Sequence, residues 1–221
     1  MAKRKDQPAK GPAWRAAEEY GIDMSLIEPN LRKTPAERIR ANSLAAATAI
    51  ALKKAMQGEV VDLQGFIGRF VTNDIDFVVI GDLAAAAYGV THGTEGIRVC
   101  CAFSPDNLMR MQAALSDVHP VHRMPPARPP LELTPETAGD FKNLYLDTDD
   151  GQLDCLSFVD GVGDFEQAKQ NSIEITLAKG ACRVLSLDAL IRSKEAMNRP
   201  RDRQAVLQLK AIRERLNDEP Q

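Results

Sequence analysis

The stretch that most constrains this chain is residues 75–103. Phe77-Val78-Val79-Ile80 is a continuous apolar, largely β-branched run, the pattern of a strand covered on both faces. Gly81 follows, then an alanine-rich segment ending at Tyr88-Gly89, and a second strand pattern from Gly96 to Phe103. A strand buried on both sides needs helices packed against it, so the expected class is α+β, with helices on at least one side of a sheet. A strand that ends in glycine and opens a helix also presents free backbone N–H groups and the positive end of a helix dipole, a place for a phosphate.

The bulk numbers agree with a folded domain. At 221 residues, 44% hydrophobic and 27% charged, the chain suits one domain of ordinary size with a real core. A formal net charge of -3 gives no basic footprint over the whole chain. That argues against nucleic acid as the principal ligand while leaving room for a local basic patch. There is no apolar run of membrane-spanning length and no signal-peptide pattern, so a soluble, cytoplasmic protein without a membrane partner is expected. The four cysteines, Cys100, Cys101, Cys155 and Cys182, form no C-x-x-C pair and are expected to be reduced and buried.

Four segments follow along the chain. Residues 1–33 are expected to be a flexible tail and lead-in, rich in Lys, Arg, Ala and Pro at the start, with Trp14 as a possible surface anchor. Residues 34–72 carry two helices. Thr34-Pro35-Ala36-Glu37 is a capping box with proline at the first helical position, predicting a helix to about Met56. Leu63, Phe66, Ile67 and Phe70 recur at helical spacing. Residues 73–185 form the core. In its second strand Ile97, Val99, Cys101 and Phe103 share one face, and Gly96, Arg98, Cys100 and Ala102 the other. Ser104-Pro105-Asp106 restarts a helix. Residues 118–142 hold six prolines and are expected to be a functional or mobile loop; His119 and His122 there lack metal-ligand spacing. Two hairpins follow, about 144–159 and 173–185, with Asp154 facing away from Leu153 and Cys155. Residues 186–221 are two C-terminal helices, on which Lys194 and Asp202 both point inward and invite an ion pair.

These residues together resemble the nucleotidyltransferase superfamily with the DNA-polymerase-β-like fold. Within it they are similar to bacterial abortive-infection and minimal nucleotidyltransferase proteins of toxin–antitoxin type. The anchors are Phe77-Val78-Val79-Ile80-Gly81, Tyr88-Gly89, Thr94-Glu95-Gly96-Ile97-Arg98, Ser104-Pro105-Asp106-Asn107-Leu108, Gly151-Gln152-Leu153-Asp154, and Leu185-Ser186-Leu187 through Lys194, Arg199 and Asp202. The resemblance implies a small mixed sheet flanked by helices. It also implies an aspartate-x-aspartate pair opening the second strand and a third carboxylate from a later one, together holding magnesium for nucleotidyl transfer. On this pattern Asp154 is the catalytic carboxylate, and Gly81, Asp82, Thr94, Lys194 and Asp202 are substrate-binding positions.

The chain departs from the pattern at its chemical centre. Gly96 and Arg98 stand where the aspartate pair is expected, and Asp82 where the phosphate turn has a second glycine. The leading expectation is a nucleotidyltransferase-like protein, impaired or inactive, needing no cofactor, with an internal ion pair of Arg98 with Asp154, and Asp82 as a further partner. The alternative is an active transferase using Mg2+ and an NTP, with Glu95 or Asp82 as replacement ligands. A third reading is a binding or regulatory module whose N-terminal helices or loop 118–142 dock a protein partner.

Overall fold

The computed structural model describes residues 11–42, 63–90, 96–124 and 127–218. Its helices and strands, in chain order, are α1 (Pro12–Glu19), α2 (Ile27–Leu31), α3 (35–42), α4 (Leu63–Thr72), β1 (Phe77–Val79), α5 (Gly81–Tyr88), β2 (Gly96–Cys101), α6 (Pro105–Leu115) and β3 (Val121–His122). There follow β4 (Asn143–Thr148), β5 (Gly151–Leu156), β6 (Phe158–Val159), β7 (Gly163–Asp164), α7 (Phe165–Gln170), β8 (Ser172–Leu177), β9 (Gly180–Leu185), α8 (Leu187–Met197) and α9 (Pro200–Asp218). Among the described residues seven strands form one mixed sheet in the order β3-β4-β5-β2-β1-β9-β8, and β6 and β7 pair separately.

The sheet's two faces follow from strand alternation. The parallel pairing of β2 with β5 sets Ile97 beside Leu153 and Val99 beside Cys155, and β4 adds Leu144 and Leu146 to the same face. All six are buried. Helix α6 covers this face, bringing the Met111 sulfur to 3.6 Å from Cys155 Sγ. The other face carries Gly96, Arg98, Gln152 and Asp154 in register, and here α5 and α7 lie over the central strands. All four cysteines are reduced and buried, as expected, and burial pushes the thiols of Cys100 and Cys182 up to about 12.

Helix α5 is enclosed on every side. Leu83, the four alanines and Tyr88 are all buried, which suits a helix hydrophobic all round. Small side chains let β2, β9, α8 and α9 approach it. The Tyr88 hydroxyl donates to the Leu185 carbonyl at 3.0 Å. Gly89 ends α5 at φ 109°, a left-handed cap that favours glycine. Buried Arg38 of α3 then donates to the carbonyls of Asn30, Leu31 and Ala87, tying the N-terminal helices to the C-terminal end of α5.

Residues 34–37 form the expected capping box: Thr34 N–H donates to the Glu37 carboxylate at 2.8 Å, and Glu37 N–H donates to Thr34 Oγ1 at 3.2 Å. The continuation of this helix toward Met56 lies outside the described residues. The lead-in differs from the flexible tail expected over 1–33. It carries the helices α1 and α2, and α1 packs along α9. Glu214 accepts from Ala13 N–H at 2.9 Å, capping the orphan donors of α1 with negative charge. Trp14 is 5% exposed, with the Arg215 guanidinium 5.0 Å from its ring centroid. A single buried indole anchors a segment whose composition otherwise resembles a tail. Trp14→Ala should therefore lower the unfolding free energy by about 3 kcal/mol in urea titration. A loss below about 1 kcal/mol would mean that α1 is not integral to the fold.

Candidate functional site

The N-terminal ends of β2, β5, α5 and α9 meet in a cavity of about 350 Å³ lined by Asp82, Gly96, Ile97, Arg98, Arg123, Gln152, Asp154 and Arg201. Its floor is the open part of the β2–β5 face. Arg98 and Asp154 are register partners across those parallel strands, so their side chains share a face without further adjustment. Arg98 reaches Asp154 Oδ2 through Nε at 3.2 Å and Nη2 at 2.8 Å. The ion pair expected between these two residues is therefore present.

A second cation was not anticipated. Arg123 follows the two-residue strand β3 inside the proline-rich segment, and its Nη2 donates to Asp154 Oδ1 at 2.6 Å and to the Leu146 carbonyl at 3.1 Å. Both oxygens of Asp154 thus face guanidinium groups. Arg123 also lies 3.2 Å from Asp147, which Arg128 approaches from the other side. Pairing with β4 fixes this position, since β3 holds Val121 and His122 against Asp147 and Leu146. Nothing in the local sequence marked so short a strand; the signal that existed was the pair of basic residues within an otherwise apolar, proline-rich run.

Asp82 opens α5 and has a different partner from the one expected. Its carboxylate is ion-paired with Lys194, while Arg98 and Arg201 act on it only at longer range. Lys194 is 1% exposed and also lies 3.2 Å from Asp202, which is fully buried. The Lys194–Asp202 pair expected from the inward faces is therefore present, with Asp82 added to it. The turn between α8 and α9 makes this possible: Asn198 takes the left-handed conformation at φ 50° and Pro200 begins α9. Arg199 donates through Nε to Asp202 Oδ2 at 2.5 Å.

Burial would raise the pKa of Asp82, but Lys194, Arg201 and Arg98 outweigh it and hold the carboxyl below its ordinary value. Asp202 is treated alike: burial opposes ionisation, and the hydrogen bond from Arg199 with the Lys194 charge overcomes it. The paired cations are what keep these two groups ionised.

Gly96 is fixed by backbone contact. A Cβ built there would lie 2.7 Å from the Gln152 carbonyl oxygen and 2.8 Å from Gln152 Cβ, closer than side chains pack. Gly81 has φ +67° at the start of α5 and stands 3.5 Å, measured from its ideal Cβ position, from Arg98 Cβ. Thr94 and Glu95 lie outside the described residues. His119 pairs with Asp149 at 2.7 Å and the His122 ring stacks on Phe141. Among the described residues no group of three or more His, Cys, Asp or Glu side chains is placed to share a metal ion.

Neither the family models nor the curated proteins searched include a match to this chain. Among the described residues no helix is long and apolar enough to cross a membrane.

The depressed carboxyls set a sign for acid stability. Asp82 and Asp202 bind protons more weakly folded than unfolded, so their contribution is complete above the unfolded value of about 3.9 and fades as pH falls through the folded values. Asp202→Asn should cost roughly 3 kcal/mol at neutral pH by leaving Lys194 and Arg199 undercompensated. The gap from the parent should narrow below about pH 4, measured by urea unfolding across pH. A gap that stays constant down to about pH 2.5 would contradict this assignment.

Proposed function

We propose that this protein is a binding or regulatory module built on a nucleotidyltransferase-like frame, in which an ion-paired cluster stands where a metal centre would otherwise be assembled. The observation that carries the reading is the state of Asp154. Each of its oxygens is within 2.8 Å of a guanidinium nitrogen, so the carboxylate that would bind a metal is already neutralised. Asp82, the other carboxylate lining the cavity, is held by Lys194. A divalent cation needs several free oxygen ligands and disfavours adjoining fixed positive charge. Among the described residues this donor set does not fit Mg2+.

In the N-terminal helices and segment 118–142 the apolar anchors turn into the chain, while most of segment 118–142 itself is exposed. Trp14, Ile27 and Ile39 of the N-terminal helices are buried, as are Leu131, Leu133 and Ala138 of segment 118–142. We assign recognition to the cavity, where charged side chains converge. The seven-stranded sheet, with β1, α5 and β2 in sequence and two further hairpins, supports the frame half of the proposal.

Calorimetric titration with Mg2+ and each NTP should give no magnesium-dependent binding, and labelled NTPs should leave no label on cellular RNA or protein. Micromolar, magnesium-dependent affinity, or incorporation that disappears in Asp154→Ala, would overturn the proposal. The same substitution leaves Arg98 and Arg123 without their shared anion and should cost about 1–3 kcal/mol of stability, the partial exposure of both guanidiniums screening the penalty.

A further inference from the structure

The charge around the cavity is not balanced. The network of paired and through-space partners holds six cations, Arg98, Arg123, Arg128, Lys194, Arg199 and Arg201, against five carboxylates, Asp82, Asp147, Asp154, Asp160 and Asp202. One positive charge remains over, in a chain whose net charge is -3. Local excess of the opposite sign to the whole molecule attracts an anion to one place.

The donors are available as well as the charge. Arg98 commits Nε and Nη2 to Asp154, and Arg123 commits Nη2 to Asp154 and Leu146; the Nη1 group of each takes no hydrogen bond among the described residues. Arg201 lines the same cavity and makes no side-chain hydrogen bond or ion pair among the described residues, interacting with Asp82 only through space. The two lining carboxylates do not cancel this, because Asp154 is shared by two guanidiniums and Asp82 by a buried ammonium. Guanidinium groups bind tetrahedral oxyanions through paired N–H donors and need no bridging metal. The cavity, at about 350 Å³, exceeds by far the roughly 30 Å³ share of one water.

We infer that this cavity binds the dianionic group of a phosphate monoester directly on Arg98, Arg123 and Arg201, without a metal ion. A dianion offers enough acceptor oxygens for the uncommitted donors of three guanidiniums, and the remaining volume admits part of the organic group that carries it. The inference rests on the reading of the cavity as a metal-free binding site.

The test is calorimetric titration of the full chain at low salt in EDTA, with inorganic phosphate and phenyl phosphate as probes, and separately with Mg2+ and NTP. Both phosphate probes should bind, and phenyl phosphate more tightly if the ester group is also contacted. Arg201→Gln, which breaks no bond of the fold, should weaken binding about tenfold. Arg213→Gln, which alters an exposed pair with Asp188, should leave it unchanged. No binding of either probe up to about 10 mM, or binding insensitive to Arg201→Gln, would overturn the inference. If NTP then also fails to bind with Mg2+, the metal-free module reading stands alone. If NTP binds only with Mg2+, both readings fall.

Discussion

The rest of the molecule depends on how one buried ammonium is neutralised. Lys194 is 1% exposed, and a lysine at that depth is tolerated only with close counter-charges. It finds Asp82 at the start of α5 and Asp202 in the first turn of α9. Three helices are therefore fixed to one point. At the opposite end of α5, Arg38 donates to the Ala87 carbonyl at 3.0 Å, where a cation also suits the negative end of the helix dipole. An eight-residue helix with a largely alanine surface has little side-chain bulk to set its own position. These two cationic clamps hold it along the sheet, and so place Gly81 and Asp82 against Arg98.

The second charge layer obeys the same rule at a shallower depth. Asp154 is on a central strand with its side chain 11% exposed, and burial of that degree makes a lone carboxylate expensive. One guanidinium comes from the adjacent parallel strand and the other from the sheet's edge. The two layers meet at Asp82, which Lys194 holds and which Arg98 and Arg201 attract from the cavity side. Ionisation states on the cavity floor are thus coupled to the packing of α8 and α9 behind it.

Much of this was legible in the sequence, and the boundary of legibility has a physical basis. Strand alternation is a local rule and gave Arg98 and Asp154 each a face of its own strand, but bringing the two together rested on the resemblance, because the β2–β5 register joins residues 56 apart in sequence. The inward faces of α8 and α9 gave Lys194 and Asp202 by helical periodicity. The partner of Asp82 was misassigned because it depends on how α5 packs against α8, and helical periodicity states which face is buried without naming the neighbour. Arg123 was missed because its position is set by a two-residue strand pairing with β4, too short to leave a period. The lead-in was read as a tail because its basic, alanine-rich composition outweighed one tryptophan, whose burial against α9 is a tertiary event.

Replacement of two residues alone would not rebuild a carboxylate pair on β2. An aspartate at position 98 would face Asp154 across the strands, but Arg123 would still occupy Oδ1 of that carboxylate. An aspartate at position 96 would have to place its Cβ 2.7 Å from the Gln152 carbonyl, so β2 and β5 would need to separate before the side chain could fit. Backbone spacing, the Arg123 contact from the edge strand and the Arg98 pairing all act in the same direction. The misfit to a metal ion is therefore distributed over three strands, and the cation-rich cavity is a property of the sheet's local geometry as much as of the residues at positions 96 and 98.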